Sequence, residues 1–335
     1  IVACLVGSEM CIRDRLEYIN DNLAPKETER KEKGEVFTPI YIVEEMLDKL
    51  PNHVWSDHTL KWLDPAVGIG NFPICVYLRL MEGLKGYKDS EIDLTNEETR
   101  RKYIIEKMLY MVEISKKSIM ILNKIFCGDK YELNIGKPQN KNISFLSDSY
   151  DLKDFDIIMA NPPYNEGGVG KGGGVFWKGF VEKSLRILND NGYLVMIHPT
   201  GWRKPKGERA SGGDIWDSFK PYHLEALKIS DVKIPHFPRV DYYVLNKSKK
   251  SINTLVINEF QSIKTDKKTN LKDLPFIPHL INDVVVSILG KLFTKKGDKF
   301  NIQYNQSFKP GKNDKTKKSG VPHAFFCDVS KNEYV

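Results

Sequence analysis

The segment Asp156-Ile-Ile-Met-Ala-Asn161-Pro162-Pro163-Tyr164 joins an apolar run to a polar residue, two prolines and an aromatic ring. Strand ends of this kind, at the rim of an open α/β sheet, are where ligands bind. The prolines fix φ near about −65° and restrict the residue before them, so the Asn161 side chain and its neighbouring carbonyls are held rigidly. The side-chain oxygen of Asn161 and the carbonyl of Pro162 can both accept hydrogen bonds from one NH2 group. Tyr164 then offers a flat face on which a base can stack. An ordinary proline turn explains most Asn-Pro pairs, but few that continue as Pro-Tyr after a buried strand.

A second set lies upstream in Leu63-Asp64-Pro65-Ala66-Val67-Gly68-Ile69-Gly70-Asn71-Phe72. Gly68 and Gly70 let the backbone turn tightly and approach a ligand, while Asp64 stands at a strand end where a cationic group is welcome. This is not the dinucleotide pattern G-x-G-x-x-G, because Pro73 takes the last place. Nor is Gly167-Gly-Val-Gly-Lys-Gly-Gly-Gly174 a phosphate loop, since Lys171 is followed by glycine and no strand leads into it. It is expected to be a mobile flap beside Asn161–Tyr164. Glu29-Arg30-Lys31 satisfies E-x-K without a Pro-Asp partner and is taken as a charge run.

To position these groups the chain must alternate strands and helices. Apolar runs at Leu60–Leu63, Met108–Val112, Ile143–Leu146, Phe155–Ala160 and Tyr193–Ile197 predict strands. Helical patterns fall at Asn71–Leu84, Ser115–Phe126 and Phe176–Leu188. Strand and helix in alternation imply a mostly parallel sheet covered on both faces. Tyr242–Leu245 and Thr254–Ile257, flanking Lys247-Ser-Lys-Lys250, are expected to form an antiparallel hairpin at the sheet edge.

These motifs, in this order, resemble the gamma-class DNA adenine-N6 methyltransferases, particularly the Eco57I-like group. Asn161-Pro162-Pro163-Tyr164 looks like that family's catalytic motif, and Gly34-Glu35-Val36-Phe37-Thr38-Pro39 is similar to its G-x-x-[FY]-T-P segment. The 63–72 segment matches D-P-A-x-G-x-G-[NH]-F. The resemblance implies a Rossmann-like, seven-stranded S-adenosylmethionine-dependent methyltransferase fold. It implies cofactor contacts from Phe37, Thr38, Pro39, Asp64, Pro65, Ala66, Gly68 and Gly70, ribose contacts from Glu113 and an adenine contact from Asp148. It covers roughly residues 34–246. The sequence departs from the family at Val67, Ile69 and Pro73, and about forty residues separate Gly70 from Glu113 where about twenty is usual, which predicts an insertion around Lys85–Arg100.

Charge placement adds a partner. The net charge is +7, yet Asn246–Lys318 alone holds sixteen Lys, no Arg and six Asp or Glu. The remainder is therefore slightly acidic. A lysine run is usually a solvated face, but beside a nucleic-acid motif it points to phosphate contacts. Trp202, Arg203, Lys204, Lys206 and Arg209 are candidates for the same task, with double-stranded DNA as the partner. A separate restriction endonuclease or specificity subunit is a second candidate partner.

The expected organisation is a leader at 1–15, resembling translated adapter sequence, then a catalytic domain at 16–265 and a partial target-recognition or DNA-contact region at 266–335. The last is short for a recognition domain, so the chain is expected to be truncated. The five cysteines have no zinc or disulfide spacing, and no apolar run reaches the roughly 18 residues of a membrane span, so a bacterial or phage cytoplasmic protein without a metal site is expected. The function expected is direct in-line methyl transfer to adenine N6 in DNA after base flipping. Methylation of RNA adenine, of cytosine N4 or of protein glutamine, and a DNA-binding subunit without turnover, are the alternatives.

Overall fold

A computed structural model describes residues 38–136, 145–146, 153–164, 175–204, 213–230, 239–248, 253–260, 263–293, 327–328 and 333–334. Phe37, Asp148, the Gly-rich run, Lys206 and Arg209 lie outside them.

After α1 (Ile40–Leu47) and a 3-10 turn at Asn52–Trp55, β1 (Trp62–Asp64) leads into α2 (Asn71–Gly83). Pro73 falls in the first turn of α2, where a missing N–H is harmless. The expected insertion is an ordered excursion. Asp89 and Asp93 close side-chain turns in it, and the Asn96 side chain accepts from the Thr99 N–H to start α3 (Glu97–Tyr103), which runs on as a turn of π-helix at Ile104–Met108. Buried Arg100 donates to the carbonyls of Leu94 and Thr95 and so fastens the excursion to its own helix.

There follow β2 (Leu109–Val112), α4 (Lys116–Ile125, capped by Ser115), β3 (Asn134–Gly136) and β4 (Phe155–Ala160). Next come α5 (Phe176–Ile187), β5 (Leu188–Pro199) and a 3-10 turn at Thr200–Arg203, then α6 (Gly213–Phe219) and β6 (His223–Ser230). The chain continues through β7 (Val240–Asn246), β8 (Asn253–Phe260), β9 (Ile263–Asn270) and α7 (Asp283–Phe293).

One nine-stranded sheet has the order β3-β2-β1-β4-β5-β7-β6-β8-β9. The pairs from β3 to β5 are parallel, and β7 runs antiparallel to both β5 and β6. This is the α/β, Rossmann-like arrangement, with β8 and β9 added beyond the seven expected strands. Residues alternate between two buried clusters, Ile157 and Met159 joining one and Ile158 and Ala160 the other, as a sheet covered on both faces requires.

Three expectations are corrected. β7 and β8 are not a hairpin, because β6 lies between them and pairs with both; the edge hairpin is β8 with β9. The boundary near 265 falls inside β9, and the first compact unit runs through Thr294. Phe145 and Leu146 form a turn, and the third strand is Asn134–Gly136. In each case long-range pairing chose among apolar runs that look alike locally. The second unit, 295–335, contains an antiparallel pair, β10 (Cys327–Asp328) with β11 (Glu333–Tyr334). No helix among the described residues is long and apolar enough to cross a membrane.

Candidate active site

Parallel strands bring three of the expected groups to one rim. Asp64 ends β1 level with Met111 of β2, Glu113 follows β2 directly, and Asn161 follows β4, whose Ile158 is level with Leu63. The Asp64 carboxylate is 1% exposed and accepts the Ala66 N–H at 3.0 Å. Burial pushes its pKa up to about 8, the Ala66 hydrogen bond opposes this, and the nearby Glu113 charge adds to it.

Glu113 is fixed by backbone donors. Its Oε2 accepts from the Gly68 N–H at 2.8 Å, and its Oε1 from those of Ile114 and Ser115 at 2.8 and 2.7 Å. The carboxylate therefore clamps the glycine turn to the end of β2. Gly68 and Gly70 have φ of 54° and 98°, a region costly to any residue with a Cβ. A Cβ on Gly70 would also meet Leu122 Cδ2 at 2.8 Å.

Thr38 reaches the same turn, since its carbonyl accepts from Asn71 Nδ2 at 2.7 Å. Its hydroxyl is buried and has no hydrogen-bond partner among the described residues, a polar atom that a ligand could satisfy. Pro39 then opens α1, and Pro65 is buried beside half-buried Ala66.

On the other side of Asp64, Asn161 and Pro163 are half-buried and Pro162 is buried. Tyr164 is 9% exposed, its ring packs in the first core cluster, and burial pushes its hydroxyl above the usual range, with the Asn161 side chain opposing. Little ring surface is thus open to a base in this state. The Tyr164 carbonyl accepts the Phe176 N–H at 3.2 Å, so the chain returns to the motif at the start of α5.

Two expected DNA contacts are corrected. Trp202 is 0% exposed and donates through Nε1 to Asp241 Oδ2 at 3.1 Å. Arg203 is buried, with Nε 2.6 Å from the same oxygen and Nη1 2.8 Å from the Pro278 carbonyl. Neither presents a surface to a phosphate. Trp-Arg after an apolar strand reads equally as a surface loop or as a buried clamp, and the distant acid Asp241 decides it. Lys204 is exposed. Arg203→Ala is accordingly expected to lower stability by roughly 3–5 kcal/mol, since it strands a buried carboxylate. Denaturant unfolding checks it, and a loss within about 0.5 kcal/mol, the range of surface substitutions, would contradict the burial.

Sequence reasoning missed Ile114, 65% exposed directly after Glu113 at the same rim. A large apolar residue next to an acid at a strand end was the available signal. It also passed over Trp177 and His198, two buried rings behind the Asn161 side of the rim.

Residues 10–173 match the N-6 DNA Methylase family. The resemblance to adenine-N6 methyltransferases is borne out. The matched stretch includes Asp64, Glu113 and Asn161–Tyr164. An uncharacterized adenine-specific methylase of Mycoplasma pneumoniae is 26% identical over 50% of this chain and 55% of its own length. The chain thus spans about half of the curated relative it matches.

Among solved structures, a chain of a type I restriction-modification system aligns with TM-score 0.53 and 14% identity, covering 74% of this chain and 48% of that one. A protein of Listeria monocytogenes assigned to the class I S-adenosylmethionine-dependent methyltransferases aligns at 0.50 and 14%, covering 75% and 74%. A chain of Vibrio vulnificus YJ016 assigned as a type I modification subunit aligns at 0.50 and 15%, covering 74% and 51%. At these identities the likeness speaks for the methyltransferase fold.

Proposed function

We propose that this chain transfers a methyl group from S-adenosylmethionine to the N6 amine of adenine in DNA, within a restriction-modification system. The observation that carries the reading is the convergence of Asp64, Glu113 and Asn161-Pro-Pro-Tyr164 on one rim of the sheet, within the N-6 DNA Methylase match.

The residues present fit the cofactor. Asp64 is a desolvated acid suited to a cationic group, Glu113 an oriented acceptor for ribose hydroxyls, and the Thr38 hydroxyl a buried group seeking a partner. Phe37, Pro39, Pro65, Ala66, Gly68 and Gly70 would line the rest, with Asp148 at the adenine. When bound, S-adenosylmethionine supplies an electrophilic methyl on sulfur.

The chain's own part is to make the amine reactive. The N6 lone pair is delocalised into the ring, and acceptance of both N–H bonds by Asn161 Oδ1 and the Pro162 carbonyl favours a more tetrahedral nitrogen aimed in line at the methyl carbon. As the carbon–nitrogen bond forms, the methyl–sulfur bond breaks with its electron pair left on sulfur and N6 becomes cationic; one of its two protons then passes to solvent water, and the remaining N–H stays with one of the two acceptors. Pro163 fixes the turn. The base must leave the duplex, at a cost of a few kcal/mol. Because Tyr164 is nearly buried, stacking on it requires the motif to open as the base enters.

Exposed Lys204, together with Lys206, Arg209 and the lysines beyond Asn246, is proposed to meet phosphates. Residues 295–335 hold nine Lys and no Arg against four acids. Truncation after Thr294 is expected to leave cofactor affinity unchanged and to flatten the log–log salt dependence of duplex binding by about 0.9 for each phosphate no longer neutralised. Binding titrations at several salt concentrations read it; an unchanged slope would assign the phosphate-binding lysines to the first unit alone.

The reading as a whole is tested by incubating the protein with tritiated S-adenosylmethionine and either duplex DNA or RNA. Label in DNA is expected. Label confined to RNA or to protein, or none, would overturn it.

A further inference from the structure

The second core cluster holds a buried polar stack that the transfer chemistry above does not use. Trp177 and His198, 3% and 0% exposed, lie ring on ring at 4.3 Å with an interplanar angle of 11°. His198 Nδ1 is 3.1 Å from the Pro199 carbonyl, which can only accept, so Nδ1 carries the proton. Nε2 then accepts from the Tyr243 hydroxyl at 3.0 Å. Burial keeps the imidazole neutral, with its pKa down to about 3. Trp202 and Tyr243 box the ring edge-on at 6.3 and 5.3 Å, so it cannot turn.

Its location is what gives this stack a role. Met196 of β5 is level with Ala160 of β4, so His198, two residues on, stands at the level of Pro162. Trp177 is the second residue of α5, and the first, Phe176, donates its N–H to the Tyr164 carbonyl. A side chain serving only to fill space here needs neither a fixed tautomer nor a hydroxyl aimed at it.

We infer that Trp177, held by His198 and Tyr243, is a positioning residue for methyl transfer: the stack sets the first turn of α5, and the Phe176–Tyr164 hydrogen bond passes that setting to the Asn161–Tyr164 segment. This rests on the proposed reaction. The effect belongs on the chemical step, because none of the three side chains is part of the Asp64–Glu113 half of the rim. Displacement of a reacting group by about 1 Å costs on the order of 10²-fold in rate.

The test is single-turnover methyl transfer by Trp177→Leu, Trp177→Phe and Tyr243→Phe, with cofactor affinity by calorimetry and hydrogen exchange of the Phe176 amide. Trp177→Leu is expected to slow transfer by roughly 30-fold or more, with cofactor affinity within about threefold of the parent. Trp177→Phe, which keeps a ring against His198, is expected to recover most of the rate. The Phe176 amide should exchange faster in Trp177→Leu. Should that variant fail to fold, Tyr243→Phe, which removes one oxygen, is expected to slow transfer by about tenfold. A folded Trp177→Leu or Tyr243→Phe with the parent's rate and Phe176 protection overturns the inference. Equal losses in Leu and Phe with unchanged Phe176 exchange do so as well. Failure of the parent itself to bind S-adenosylmethionine would instead count against the reaction, and the exchange measurement still decides the positioning.

Discussion

Asn161→Ala is expected to lower the single-turnover rate of methyl transfer by roughly 10²–10³-fold, the loss that follows removal of one preorganised acceptor at a developing charge. The substitution removes one of the two groups that would hold the amine, at a half-buried position whose backbone is constrained by Pro162. Cofactor affinity and DNA binding are expected to survive, because Asn161 stands on the β4 side of Asp64, away from the Glu113 clamp. A variant with near-parental turnover, measured with saturating DNA, would remove Asn161 from the reaction.

The second large effect concerns Asp64. In the free protein its pKa is raised to about 8, chiefly by burial, so at neutral pH it is mostly protonated. A cationic ligand favours the ionised form. Binding at pH 7 is therefore expected to release close to one proton, and affinity to rise by up to about tenfold per pH unit until it levels above pH 8.

Stability moves the other way. A carboxyl whose folded pKa lies above its unfolded value contributes stability fully below pH 3.8 and loses it as pH rises through about 8. Asp64→Asn should thus fold, resist alkaline destabilisation better than the parent, and bind S-adenosylmethionine roughly 10²-fold more weakly or worse. Calorimetry in buffers of different ionisation enthalpy reads the proton. No release at pH 7, or parental affinity in Asp64→Asn, would take Asp64 out of the site.

Much of the rim was legible because its constraints are local. Gly68 and Gly70 occupy positive φ, Ser115 caps α4 and Pro73 sits where a helix tolerates it, and each of these is a property of a few adjacent residues. The strand carrying Asn161 has the boundaries its apolar run predicts for the same reason, since FDIIMA is buried nearly throughout.

What was not legible depends on partners distant in the chain. Arg203 became a core residue through Asp241 and Pro278, which lie 38 and 75 positions away. The β7–β8 hairpin failed because β6, with the alternating pattern HLEALKIS, inserts between two runs that a lysine-rich segment connects in the sequence. The lysines of β9 read as phosphate ligands, yet exposed Lys264 pairs with Glu45 at 2.9 Å and exposed Lys267 with Asp283, which neutralises part of that charge within the chain. Tyr164 was read as an open face and is nearly covered, because the ring belongs to a cluster assembled from both halves of the sheet.

That the rim of Asp64, Glu113 and Asn161–Tyr164 methylates adenine at N6 is tested most directly by digesting DNA after incubation with isotopically labelled S-adenosylmethionine and identifying the labelled nucleoside by mass. The expected product is N6-methyldeoxyadenosine, absent when Asn161→Ala replaces the parent. Label recovered as N4-methyldeoxycytidine, or N6-methyldeoxyadenosine formed equally well by Asn161→Ala, would contradict it.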